Sequence, residues 1–387
     1  MPFLVRVYVR KRVLQYLAMS DLKFWLALNR VPGLGTQRFR LLLARYPSLE
    51  EAWRASASDL EAAGLDRRTV TAVLECRARI SPDEEQEKLA LAGVSAFTLR
   101  DAAYPPRLKE TYDPPPVLYV RGALLPVDER SVAVVGTRKA TAYGREAAFT
   151  LAGDLARHNV TIVSGLARGI DAVAHRAALE AGGRTIAVLA NGLDIVYPPE
   201  HRGLSADVEA HGALLSEHQL GTRPDASHFP RRNRILSGMT LGTLVVEAGE
   251  VSGALWTVSH ALEQDREVFC VPGSIFSPAS VGANRLIQEG AKLVMSYVDI
   301  LEELNLTSVA RQLEMPAIVV PASDAESALL GQLSHEPVHI DDIQRRTGLP
   351  ISTVSGTLAL MELKGQARQV GGMHYIRTRE AAAHYGG

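Results

Sequence analysis

From Ser131 onward the sequence repeats one unit, and that unit leaves few architectures open. Val132-Ala133-Val134-Val135 runs into Gly136 and then into a helical stretch through about Arg157. Val160-Thr161-Ile162-Val163 ends in Ser164-Gly165, and another helical stretch follows. The runs Thr185–Leu189, Thr243–Val246 and Val268–Val271 continue the series. Such unbroken apolar, β-branched runs suit strands covered by helices on both faces. Alternation of strand and helix then predicts an α/β domain, a doubly wound parallel sheet over residues 93–310.

The flanks read differently. Residues 20–92 are expected to form a helical domain. Asp21–Leu28 is amphipathic, and Val31-Pro32-Gly33-Leu34-Gly35 breaks it. Thr36 is placed to cap the next helix, and further helices open near Ser58-Asp59 and Asp66-Arg67. Tyr104-Pro105-Pro106 and Asp113-Pro114-Pro115-Pro116 are too rich in proline for helix interior and mark an extended crossing. Residues 311–324 read as a linker. Residues 325–387 read as three helices and a strand pair turning at Gly371-Gly372, the order of a winged helix-turn-helix.

Residues 1–19 are apolar but interrupted by Arg6, Arg10, Lys11 and Arg12. A signal peptide keeps its charges ahead of its apolar core, so this stretch reads as a loosely attached extension. No uninterrupted apolar stretch is long enough to span a membrane. The two cysteines, Cys76 and Cys270, form neither a disulfide framework nor a metal cluster and suit a reducing cytoplasm. The formal net charge is −1, so a nucleic-acid site has to be a local patch rather than a basic coat.

Ligands of open α/β sheets bind beyond the carboxyl ends of the strands. After the first strand come Gly136, Thr137 and Arg138; after the second come Ser164, Gly165 and Arg168. Small residues there let backbone N–H groups approach a phosphate, or they simply serve tight turns. The arginines on the same edge favour the first reading. Neither loop is G-x-G-x-x-G, and no Walker motif occurs, so no nucleotide cofactor is expected. Phe229-Pro230-Arg231-Arg232-Asn233-Arg234 adds three cations and an aromatic ring, the ingredients of a single-strand site. Asp171 and His175 have a metal-ligand spacing but no evident third ligand, so a structural role is favoured and no metal is expected. Glu247 can be read as a general base or as a hydrogen-bond acceptor for the loop backbone. The loop at residues 31–35 resembles a helix-hairpin-helix loop, which offers N–H groups to phosphate. In the winged helix, Ser352, Thr353, Ser355 and Thr357 are uncharged, which fits protein contact better than base reading.

Several blocks together resemble the DprA/Smf family of DNA-processing proteins. They are Val134–Arg138, Ser164–Asp171, Asn191–Asp194 with Tyr197-Pro198, Phe229–Arg234, Val271-Pro272-Gly273 and Gly282-Ala283-Asn284. The resemblance implies a Rossmann-like DNA-binding domain. It implies a cytoplasmic, non-enzymatic protein that binds single-stranded DNA, protects it and loads the RecA recombinase onto it. It further implies a homodimer formed through the Rossmann-like domain. Its DNA contacts would fall on Gly136, Thr137, Arg138, Ser164, Gly165, Arg168, Phe229, Arg231, Arg232, Asn233 and Arg234. The alternatives are a nucleotide-processing enzyme resembling the lysine-decarboxylase-like phosphoribohydrolases, whose P-G-G-x-G-T-x-x-E motif this chain lacks, and a duplex-reading regulator.

Overall fold

The computed structural model describes residues 21–306, 323–334, 337–364 and 366–377. The extension expected at residues 1–19 and nearly all of the linker expected at residues 311–324 lie outside them. The chain divides into two compact units, one through Thr307 and one from Ser308.

In the first unit, a nine-stranded sheet runs β1 (Ser95–Thr98), β2 (Val117–Gly122), β6 (Ala213–Ser216), β5 (Thr185–Val188), β4 (Thr161–Ser164), β3 (Ser131–Val135), β7 (Gly242–Val245), β8 (Glu267–Cys270) and β9 (Lys292–Leu293). Every neighbouring pair from β6 to β9 is parallel. β1 and β2 extend that sheet antiparallel, with Tyr119 opposite Ser216. Sequence periodicity does not pick out β2, because Pro114-Pro115-Pro116 leads straight into it and the segment reads as a crossing.

The β-branched runs have the expected cause, burial on both faces. Along β5, Ala187 joins one hydrophobic cluster while Ile186 and Val188 join the other. The first cluster unites the sheet with the N-terminal helices, among them residues 21–29 and Thr36–Arg45. Trp25 stacks on Phe39 with ring centroids 5.5 Å apart, and the same cluster holds Tyr119, Leu189 and Leu214. Thr36 is not a cap. It is the first helical residue, and its hydroxyl donates to the Pro114 carbonyl at 2.6 Å, tying this layer to the proline segment.

The second unit is a winged helix. Helices Asp324–Leu330, Ile340–Thr347 and Ile351–Leu363 pack on strands β10 (Val338–His339), β12 (His374–Arg377) and β11 (Ala367–Gly371), through Leu329, Ile343, Val354, Leu358 and Met361. Gly348, at φ +68°, ends the second helix in the left-handed conformation that glycine adopts without strain. On the third helix Ile351, Leu360 and Leu363 are exposed, and Lys364 is paired with Glu326 at 2.9 Å.

Candidate nucleic-acid interface

β3 leads to β4 on one side and has β7 on the other, so the carboxyl ends of β3 and β7 flank the switch point of the sheet. One residue at the end of β7 clasps the loop after β3. The Glu247 carbonyl accepts from the Thr137 N–H at 2.8 Å. Its carboxylate accepts from the Thr141 N–H at 2.9 Å and from the Thr141 hydroxyl at 2.5 Å. Thr141 in turn caps the helix Ala142–Arg157 by accepting from the Gly144 N–H. A side chain at Gly144 would put its Cβ 2.5 Å from the Glu247 carboxyl carbon. The protein's own buried carboxylate therefore lies at the helix N-terminus where this fold class often receives a phosphate. Of the two readings of Glu247, the geometry matches the loop acceptor.

The loop after β4 is locked just as firmly. Ser164 is fully buried and donates its hydroxyl to the Val134 carbonyl at 2.6 Å. The Gly165 and Ala167 N–H groups donate to Asp171 at 3.1 and 3.3 Å. Burial pushes the Asp171 carboxyl pKa up, against the pull of Arg232 and these two donors. Gly169 has φ +77°, and a Cβ there would stand 2.8 Å from the Arg138 carbonyl carbon, so the two loops interlock. His175, the other half of the apparent metal pair, is buried and bonded to the Thr185 hydroxyl at 2.6 Å. Among the described residues no cluster of potential metal ligands occurs.

Phe229–Arg234 lies in the first turns of the helix His228–Met239, and helical periodicity splits its three arginines. Arg231 is exposed. Arg232 and Arg234 turn inward, against the expectation that all three arginines contact DNA. Arg234 pairs with Glu217 at 2.6 Å and Asp113 at 3.2 Å. Arg232 donates to the carbonyls of Gly165, at 2.9 Å, and Val188, and its burial lowers its pKa to about 10. Asn233 is half-buried and accepts from Arg232.

What reaches solvent on this edge is compact. The Arg138 guanidinium lies over the Phe229 ring, 5.1 Å from its centroid. Tyr197, from the loop after β5, packs a tilted ring 5.9 Å from Phe229 and is 40% exposed. Arg168 is exposed and paired with Glu200 at 2.5 Å. A cation with two rings beside it can hold a phosphate and offer faces to bases. Tyr197 is absent from the residues expected as contacts. Its place in the Asn191–Asp194 and Tyr197-Pro198 family block, as an aromatic in the loop after β5, is the signal that finds it. Farther along, two family blocks meet, since Asn284 both donates to the Gly273 carbonyl and accepts from its N–H, each at 3.0 Å.

The helix-hairpin-helix-like loop has Gly33 at φ +82°, with its carbonyl accepting from Arg38, which also pairs with Asp66. No helix among the described residues is long and apolar enough to cross a membrane.

Comparison with known proteins agrees with this architecture. The family model described as DNA recombination-mediator protein A matches residues 95–305, and the DprA winged helix domain matches residues 314–373. Protein Smf of Synechocystis sp. is 34% identical over 402 residues, which cover 93% of this chain and 100% of that protein. DNA processing protein DprA of Bacillus subtilis is 46% identical over 213 residues, 55% of this chain and 72% of that one. Among solved structures, DNA processing protein A from Streptococcus pneumoniae aligns with a TM-score of 0.65 and 36% identity, covering 73% of this chain and 97% of that one. The Helicobacter pylori protein, whose structure is described as showing a unique single-stranded DNA binding mode, aligns at 0.50 with 28% identity over 55% of this chain and 95% of its own. With one family model spanning over half of its length and a relative alignable along nearly all of it, the chain belongs to the DprA/Smf family of DNA-processing proteins.

Proposed function

We propose that this chain binds single-stranded DNA along the Arg138, Phe229 and Tyr197 face and acts in recombination by loading RecA onto the bound strand. The observation that carries the reading is the Arg138 guanidinium stacked over Phe229 with Tyr197 alongside. Phosphate meets the cation while bases meet the rings, which is how single strands are held without sequence preference. The binding mode described for the H. pylori relative supports the same ligand.

The expected contacts then divide by burial and, for the half-buried Gly136 and Thr137, by their packing and backbone bonds inside the protein. Arg138, Arg168, Phe229, Arg231 and the half-buried Asn233 meet DNA. Gly136, Thr137, Ser164, Gly165, Arg232 and Arg234 shape the loops and the helix that present them. The working form is a cytoplasmic homodimer joined through the Rossmann-like domain, without catalytic activity or cofactor.

The test is fluorescence anisotropy with labelled oligo-dT and a matched duplex at several salt concentrations. Binding should favour the single strand and weaken with salt, with log K falling about 0.7 per neutralised phosphate for each unit of log salt. Arg138→Ala should lose most of that binding. Unchanged binding would place the site elsewhere. RecA loading is read separately, as faster filament assembly on single strands with the chain present than without it.

A further inference from the structure

Arg232 sits in the most cationic block of the sequence, yet it is only 4% exposed. Its guanidinium joins two strand ends. Gly165 follows the last residue of β4, Val188 is the last residue of β5, and Arg232 donates to both carbonyls. Its Nε donates to Asn233 at 3.2 Å, and the buried Asp171 opposes its charge. Gly165 has no side chain because the guanidinium occupies that space. A Cβ there would stand 2.7 Å from the Arg232 Cζ. Phe229 lies one helical turn before Arg232.

The geometry points to Arg232 as a positioning residue for the single-strand face. Tethered to two strand ends at once, it sets both the rotation and the axial position of the helix His228–Met239. That setting holds Phe229 against Arg138 and Tyr197. Both carbonyls accept from the same nitrogen, Nη1, while Nε donates to Asn233; a lysine ammonium can replace the Nη1 contacts but has no second donor to fix the plane of the group. Gly165 accordingly serves as a slot for Arg232 rather than as an opening for phosphate. This inference rests on the reading of the face as a DNA site.

A double-mutant cycle tests it, with the full chain and oligo-dT at low salt. Arg232→Met should weaken binding at least about tenfold, the size of one lost stacking contact, and Arg232→Lys should recover part of the loss. Gly165→Ala should weaken binding in the wild-type background and have no further effect in the Arg232→Met background, where the methyl displaces nothing. A full additional loss in that background would mean that Gly165 meets phosphate directly, and would overturn the proposal. If Arg232→Met does not fold, the cycle runs with Arg232→Lys, where Gly165→Ala should cost less than in the wild-type background; an equal or larger loss there would overturn the proposal.

A second readout separates positioning from mere core filling. With a Phe229→Trp reporter, saturating oligo-dT should quench fluorescence strongly beside Arg232 and weakly beside Met. Unchanged affinity and quenching with only a lower melting temperature would make Arg232 a core element alone. Arg138→Ala runs alongside. If it binds normally, the DNA reading of the face fails; if it loses binding while Arg232→Met does not, only the positioning role fails.

Discussion

Arg138 stands over Phe229 at 5.1 Å, a cation from the loop after β3 resting on a ring carried by the helix that precedes β7. Each needs the other. The ring gives the guanidinium an orientation, and under the proposed reading the charge brings phosphate to the ring. Phe229→Ala should therefore cost about 1–3 kcal/mol of single-strand binding, and Phe229→Trp should keep it. Arg138→Lys keeps the charge but loses the flat stacking surface, so it should fall between wild type and alanine. Oligo-dT titrations at fixed salt decide both.

Arg234 contributes differently from its neighbour Arg231. With Glu217 it forms a pair whose side chains are 10% and 11% exposed. Arg234→Ala leaves a buried carboxylate without its partner and should lower unfolding stability by about 3–5 kcal/mol. Replacing both members with apolar residues of similar volume should restore much of that. Urea unfolding measures the loss. DNA affinity of the folded Arg234→Ala protein should change far less than that of Arg231→Ala.

Burial holds His175 down to a pKa of about 3 and His218 to about 4, from an ordinary 6.5. Between those values and 6.5 the unfolded chain takes up protons that the native state refuses, so stability rises with pH across that window. It should be complete above about pH 6.5 and fall as the pH drops below it, by up to about 1.4 kcal/mol per pH unit for each group. Urea unfolding at about pH 7.5 and pH 5.5 reads the slope. His175→Gln removes one titrating group and should flatten it; an unchanged slope would rule out His175 as a source.

Glu247 is bound on both of its carboxylate oxygens by Thr141. Glu247→Gln leaves one acceptor and turns an amide toward the other donor site, which should cost about 1–3 kcal/mol for the unmatched buried group. The loop carrying Arg138 should loosen with it, and single-strand binding should weaken. A screen of nucleoside monophosphates with the wild-type protein should release no base. Base release that Glu247→Gln abolishes would revive the hydrolase reading.

Order along the chain was written locally. Strand runs such as Val132–Val135 and their terminal glycines depend on neighbours a few residues away, so the doubly wound sheet, the N-terminal helices and the winged helix were legible, as was the strand edge on which Arg138 lies. The antiparallel β2 was hidden by prolines whose local message is opposite to their place in the sheet. The direction each functional side chain faces was decided by packing. Arg231 and Arg232 are adjacent in sequence and chemically identical, yet one meets solvent and the other bridges Gly165 to Val188. Ser164 looks like a loop hydroxyl in the sequence and is spent inside on Val134. Tyr197 joins the proposed face only because the loop after β5 arrives beside Phe229. Residue type and local period specify which elements form. Burial, and the partners that distant segments bring, settle whether a charge contacts a ligand or holds the fold, and that is a property of the assembled sheet alone.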